Sequence, residues 1–260
     1  MQFQTLQLAQ DSGITTITFN RPEKRNAISF RMIDEILAAL DEIEKSDALV
    51  AIFTGAGKAF SAGMDLDELQ SLLGKTYEQN IADSRHMAQF FRRLYDFSKP
   101  TIAAVNGAAI AGGTGIATMC DFTLAVPEAK FGYTEVRIGF LPALVSSILV
   151  WQVGHKIARD LLMSGRLFDA QEAHRYGLVN EVVAPERLMA RARELASQIM
   201  ENSPSSVRAT KKLVNGFLSE ILDRQIGQAV EENARIRQTA DFREGISSFL
   251  EKRKPVWSGQ

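Results

Sequence analysis

Over its first half the chain alternates short β-branched or apolar runs with longer segments of helical spacing, and this alternation limits the fold more than any single motif. "GITTITFN" (Gly13–Asn20), "LVAIFTGAG" (Leu49–Gly57), "PTIAAVNGA" (Pro100–Ala108) and "FTLAVP" (Phe122–Pro127) are each closed by turn residues and predict strands. Between the first two lies "SFRMIDEILAALDEIEKS", where Ser29 reads as an N-cap and Met32, Ile36, Leu37, Leu40 and Ile43 fall on one stripe. Strand and helix in alternation predict an α/β fold. After Val145 the strand signal nearly vanishes apart from "LVNEVV", leaving helical segments that run to the C-terminus. The expected organisation is a body over residues 1–202 and a helical region over 203–260, with no low-complexity linker between them.

Composition excludes several functions. With 30 basic and 31 acidic side chains the net charge is −1, which offers no field for nucleic acid or an anionic membrane. Cys120 stands alone, and His86, His155 and His174 are scattered, so no metal-ligand spacing is present and no metal is expected. The N-terminal "MQFQTLQLAQDSG" lacks a basic region followed by an apolar core, and no apolar run reaches membrane-spanning length. The cytoplasm is the expected location.

Two glycine-rich loops invite a phosphate reading, which fails. A P-loop needs a glycine five residues before its Gly-Lys pair and a Ser or Thr after it, but around Gly57-Lys58 those places hold Ile52 and Ala59. "AGGTG" lacks the G-x-G-x-x-G order of a dinucleotide fold. What remains is backbone chemistry: a helix opening at Gly112 would present unpartnered N–H groups at the positive end of its dipole. Two such N–H groups converging on one point make an oxyanion hole. Taken singly, each loop reads more simply as a turn.

Six ordered motifs decide between these readings: "NRPEKRNAIS", "GAGKAFSAGMDLDEL", "KPTIAAVNGAAIAGGTGIATMCDFTLA", "AKFGYTEVRIGFLP", "DAQEAHRYGLVNEVV" and "EGISSFLEKRKPVW". Together, and in this order, they resemble the crotonase, or enoyl-CoA hydratase/isomerase, superfamily across nearly the whole chain. The resemblance implies a spiral of ββα turns followed by C-terminal helices that build a trimer or a dimer of trimers. It implies an acyl-CoA thioester as substrate and no separate cofactor. Carried over by position, it implies oxyanion donors at the N–H groups of Met64 and Gly112. It also implies CoA contacts at Lys24, Arg25, Ala62, Asp65 and Leu66, with Phe249 and Lys252 from the C-terminal region of a neighbouring subunit.

The superfamily's acid–base chemistry usually rests on two glutamates. Glu135 in "FGYTEVRIG" matches one; Gly115 stands where the other would be. Inside a helix Gly115 costs roughly 1 kcal/mol relative to alanine, so it calls for a packing or pocket explanation. The expectation is that it leaves room for a branched or carboxylated acyl group, with Arg137, or Arg85 and His86, as the matching cation. Apolar neighbours of Glu135 would desolvate its carboxyl and raise its pKa. Three reactions fit a single glutamate: hydration, Δ3-to-Δ2 isomerisation and decarboxylation of a malonyl-type ester. Hydration stands first, because "EVRIGFLPALVS" and "EGISSFLEKRKPVW" are most similar to bacterial 3-methylglutaconyl-CoA hydratases and related enzymes of branched or carboxylated substrates. A noncatalytic trimeric scaffold is the remote alternative.

Overall fold

The computed structural model describes residues 3–260. A hairpin of β1 (Leu6–Asp11) and β2 (Ile14–Phe19) leads into α1 (Phe30–Lys45), β3 (Val50–Gly55) and β4 (Ala59–Ser61). Next come α2 (Leu66–Leu72), α3 (Tyr77–Tyr95), β5 (Thr101–Val105), β6 (Ala108–Ile110), α4 (Gly112–Met119) and β7 (Phe122–Ala125). β8 (Lys130–Gly132), α5 (Ala143–Ser164), β9 (Phe168–Asp169), α6 (Ala170–Arg175) and β10 (Glu181–Val182) follow. The chain closes with α7 (Leu188–Met200), α8 (Pro204–Gly216), α9 (Ser219–Ile236) and α10 (Ala240–Leu250).

The strands form two sheets, ordered β1-β2-β3-β5-β7-β10 and β4-β6-β8-β9. Apart from the antiparallel pairs β1–β2 and β8–β9, all neighbours run parallel. β3, β5 and β7 each pass within a few residues into a strand of the second sheet, β4, β6 and β8, so the chain winds as successive ββα turns. Every residue of β3 and β5 is buried, as expected for parallel strands covered on both faces. Helix α1 starts where Ser29 Oγ accepts a hydrogen bond from the Met32 N–H, and Met32, Ile36, Leu40 and Ile43 are buried while Leu37 lies half-buried.

The C-terminal helices do not form a separate core. α9 packs along α3 and α5, and its Leu222 and Val230 join the main hydrophobic cluster. α10 packs on α2 and on the short 3₁₀ turn Glu135–Ile138. Residues beyond 203 therefore wall the region where the predicted site residues lie. Among the described residues no helix is long and apolar enough to cross a membrane.

Candidate active site

The two candidate N–H donors are set by strand pairing. β4 and β6 run side by side, with Ala59 opposite Ala108 and Ser61 opposite Ala109, so the loops that follow them emerge together. Their backbones then touch: a Cβ on Gly63 would lie 2.9 Å from the Ile110 carbonyl oxygen, and one on Gly113 would lie 2.6 Å from that of Ser61. Gly63 also has φ +88°, so an ordinary side chain is disfavoured there twice over. Beside it, Ile28 accepts from Asp65 N–H and donates to Gly63 O. In a parallel bridge of this kind the intervening Met64 turns its own N–H away from Ile28.

Across the Gly63–Ile110 contact, α4 makes its first helical hydrogen bond from Gly115 N–H to Ala111 O. The Gly112, Gly113 and Thr114 N–H groups thus have no acceptor within the helix. Ala111 is held at φ 49°, ψ −118°, a conformation that costs an alanine about 1–3 kcal/mol and that turns the chain into the helix at Gly112. Its N–H is anchored to Gly132 O at 2.7 Å. A main-chain donor at Gly112, at the positive end of α4, together with one at Met64 in the neighbouring loop, is the kind of arrangement that holds a developing oxyanion.

The same Gly132 leads to Glu135. Thr114 Oγ1 bridges α4 to β8, accepting from Gly132 N–H at 3.1 Å, and Tyr133 is buried with its hydroxyl 2.7 Å from Thr118 Oγ1. Glu135 then opens the 3₁₀ turn. The residue as a whole is half-buried, but its Oε2 is sealed from solvent and has no hydrogen-bond partner in the protein. Desolvation pushes its pKa up to about 7, with only a backbone hydrogen bond opposing. A carboxyl poised near neutrality can take up and release a proton at working pH.

Other predicted residues take different places. Asp65, 3% exposed, has its carboxylate occupied: it accepts from Arg21 at 2.6 Å, from Asp67 N–H at 3.1 Å as the N-cap of α2, and from Lys24 at 3.2 Å. Burial pushes its pKa up, but the hydrogen bonds from Arg21, the Asp67 backbone and Lys24 outweigh that, and the net direction is down. The acceptors of the Asp65 carboxylate are thus spent on holding the loop after Met64. Lys24 is partly spent the same way, on Asp65 and Asp67. Arg25 is exposed in a left-handed conformation, with its carbonyl accepting from Ala62 N–H. Ala62 and Leu66 lie exposed at the rim, as do Phe249 and Lys252 at the end of α10.

At Gly115 the structure shows a neighbour that the expectation did not include. Its missing Cβ leaves no vacant space, since one placed there would lie 3.0 Å from two ring carbons of Phe91 on α3. The protein fills this space itself. Nor are the expected cations brought to it. Arg137 is exposed with its side chain along Gly165, Arg85 is exposed on the outer face of α3, and His86 pairs with Asp34 at 3.0 Å. The buried residues of α3 include Asn80, Ser84, Met87 and Phe91; Arg85 is one position, about 100°, off that line.

Comparison with known proteins agrees with this geometry. The sequence model of the enoyl-CoA hydratase/isomerase family matches residues 9–260. The chain belongs to that family, the crotonase superfamily. A Thermus thermophilus protein bearing the enoyl-CoA hydratase name is 44% identical over 243 residues, 93% of this chain and 96% of that one. The 2,3-dehydroadipyl-CoA hydratase of Escherichia coli is 32% identical over 255 residues, 97% of this chain and 98% of that one. A crystal structure of an enoyl-CoA hydratase/isomerase from Xanthobacter autotrophicus Py2 superposes with TM-score 0.89 at 31% identity, covering 97% of this chain and 98% of that one. The expected crotonase-type spiral is therefore the fold, and the protein is an acyl-CoA-processing enzyme, an enoyl-CoA hydratase or isomerase.

Four residues that shape this region were not singled out from the sequence. Asn26, fully buried, ties three backbone segments together through Arg21 N–H, Ala56 O and Ala59 O. Arg21 pairs with Asp65, Phe91 covers Gly115, and Arg237 lies buried behind Phe140. A helical reading of "EQNIADSRHMAQFF" would have found Phe91 on the inner face, but nothing in the sequence joins position 237 to it.

Proposed function

We propose that the protein hydrates an enoyl-CoA whose acyl chain is branched or carboxylated. The observation that carries this is the sealed, unpartnered Oε2 of Glu135, a carboxyl near neutrality in the turn that follows the strand anchoring Ala111. In this reading the thioester oxygen lies against the Met64 and Gly112 N–H groups, which makes C3 electrophilic. Glu135 takes a proton from water as the water oxygen bonds to C3, the electrons pass to the thioester oxygen, and the proton then goes to C2 as the enolate collapses. One carboxyl suffices because the proton it removes is the one it returns. Loss of one oxyanion donor typically costs about 3–4 kcal/mol, so the two N–H groups supply a large share of the rate.

A substrate with a distal carboxylate is supported by the similarity to a relative named for 2,3-dehydroadipyl-CoA. We further assign the CoA moiety to the rim at Ala62 and Leu66, with Arg25 nearby and Phe249 and Lys252 completing it from α10. Assembly as a trimer or dimer of trimers would cover exposed apolar side chains such as Trp151, Leu213 and Phe217. Isomerisation is the second reading. It is favoured by Phe91 standing where a second carboxylate would be, since moving a proton from C4 to C2 needs Glu135 alone.

Incubation with crotonyl-CoA, 3-methylglutaconyl-CoA, a trans-3-enoyl-CoA and a malonyl-type CoA in heavy-oxygen water separates these reactions by product mass. Label incorporated into the 3-hydroxyacyl product is expected. Unlabelled, isomeric product from the 3-enoyl ester alone establishes the second reading, and loss of carbon dioxide from the malonyl ester alone overturns both.

A further inference from the structure

The inward face of α3 begins at Phe91, which covers Gly115, and continues through Met87 to two polar residues, Ser84 and Asn80, both fully buried. There α9 crosses it and contributes Asn233 and Arg237, four residues apart and each 4% exposed. Arg237 Nη1 donates to Asn80 Oδ1 at 3.2 Å. Yet Arg237 Nε, Asn80 Nδ2, Ser84 Oγ and Asn233 Oδ1 are all shut off from solvent with no hydrogen-bond partner in the protein. A fold that needed only to pack two helices would place apolar side chains here, because a buried polar atom without a partner is costly. Three of the four can donate.

The crossing is joined to the site. The Arg237 guanidinium stacks 5.0 Å from the ring centre of Phe140, and the Phe140 N–H donates to Glu135 O at 3.1 Å. Phe140 and Met64 pack against the same small hydrophobic cluster of α2 and α10. Charge also has a sign here: Asp83, 3.7 Å from Arg237, is shared with Lys75, so two cations face one carboxylate.

We propose that the α3–α9 crossing receives a carboxylate at the far end of the acyl chain, with Arg237 as its cation and Asn80 and Ser84 as further donors. A guanidinium is weakly hydrated and presents a planar fork of donors that matches a carboxylate, so it suits a dry site better than a lysine. An apolar acyl terminus would leave all these atoms unpaired; a carboxylate satisfies several of them and balances the charge. The substrate class is therefore the CoA thioester of an unsaturated dicarboxylic acid. This assignment rests on the reading of the Met64–Gly112–Glu135 site as an acyl-CoA site, and it replaces Arg137, Arg85 and His86 as the source of the cation.

Calorimetric binding of the unreactive esters adipyl-CoA and hexanoyl-CoA, equal in carbon count and differing in the terminal carboxylate, tests it without turnover. The protein is expected to bind adipyl-CoA about tenfold to a hundredfold more tightly, the scale of a hydrogen bond to a charged group. Arg237→Met should erase that ratio and Arg237→Lys should retain part of it. Equal binding of the two esters by the unmodified protein overturns the proposal, whether or not the variants fold. So does an Arg237→Met protein that loses affinity for both esters by the same factor. A preserved ratio in a protein that hydrates none of the enoyl-CoA esters would sink the hydratase reading and keep this site; a missing ratio with hydration intact does the reverse.

Discussion

Two carboxylates withdrawn from solvent, Asp65 and Glu135, have opposite electrostatic fates. Asp65 follows Met64 and is surrounded by Arg21, Lys24 and the Asp67 N–H, so its pKa is held below the ordinary value although burial alone would raise it. Glu135 follows the strand that anchors Ala111 and has nothing bonded to Oε2, so burial acts unopposed by any cation and carries it to about 7. Withdrawal from water is common to both; partners decide the sign. A charge with its acceptors filled fixes a loop, whereas one with an empty acceptor is available for chemistry.

The contrast breaks most sharply at Glu135→Gln. The amide cannot shuttle a proton, so turnover of the best enoyl-CoA ester should fall about 10²- to 10⁴-fold with the protein still folded, as measured by steady-state rates alongside circular dichroism. An undiminished rate would remove Glu135 from the mechanism.

Asp65→Asn is the converse test. Asparagine still caps α2 but no longer balances Arg21, and removing one member of a buried pair typically costs roughly 3 kcal/mol. The midpoint of urea unfolding should drop accordingly, while Glu135→Gln leaves it unchanged or raised at pH 8. An Asp65→Asn protein as stable as its parent would mean that the pair behaves like an exposed one.

The finest distinction is in pH. The folded-state pKa of Glu135 is raised from 4.5 to about 7, so its contribution to stability is full below pH 4.5 and is lost as pH rises through 7. That of Asp65 is lowered from 3.8, so its contribution is present above 3.8 and is lost as pH falls through the depressed value. Unfolding free energies measured from pH 3 to 8 should show both slopes, the one between 4.5 and 7 amounting to about 3 kcal/mol and vanishing in Glu135→Gln.

The same contrast marks what could be read beforehand. The parallel strands were legible because β3 and β5 are apolar throughout, and α1 because Ser29 and its buried stripe obey local rules. The edge strand β1, "LQLAQD", is largely exposed and carries too little apolar pattern to stand out. β4, β6 and β8 span three residues each and exist only through their neighbours. Helix α3 was obscured because Asn80 and Ser84 occupy the buried face where periodicity expects apolar residues. Glu135 was placed by its surrounding motif, but the filling of Gly115 by Phe91 depends on residues 24 positions apart meeting in space. Sequence spacing cannot supply that contact.

The backbone contact between Gly63 and Ile110 has a consequence for how such a site can change over time. Met64 and Gly112 are offered as donors through their main chain, so the side chain at position 64 is free to vary without touching the oxyanion hole. What cannot vary is a distance: bulk at Gly63 or Gly113 would force two chains apart and move the proposed donors with them. In the proposed reading, change in acyl preference is therefore channelled into side chains such as Phe91, Phe140 and Arg237, while the oxyanion hole is kept as an interval between strands.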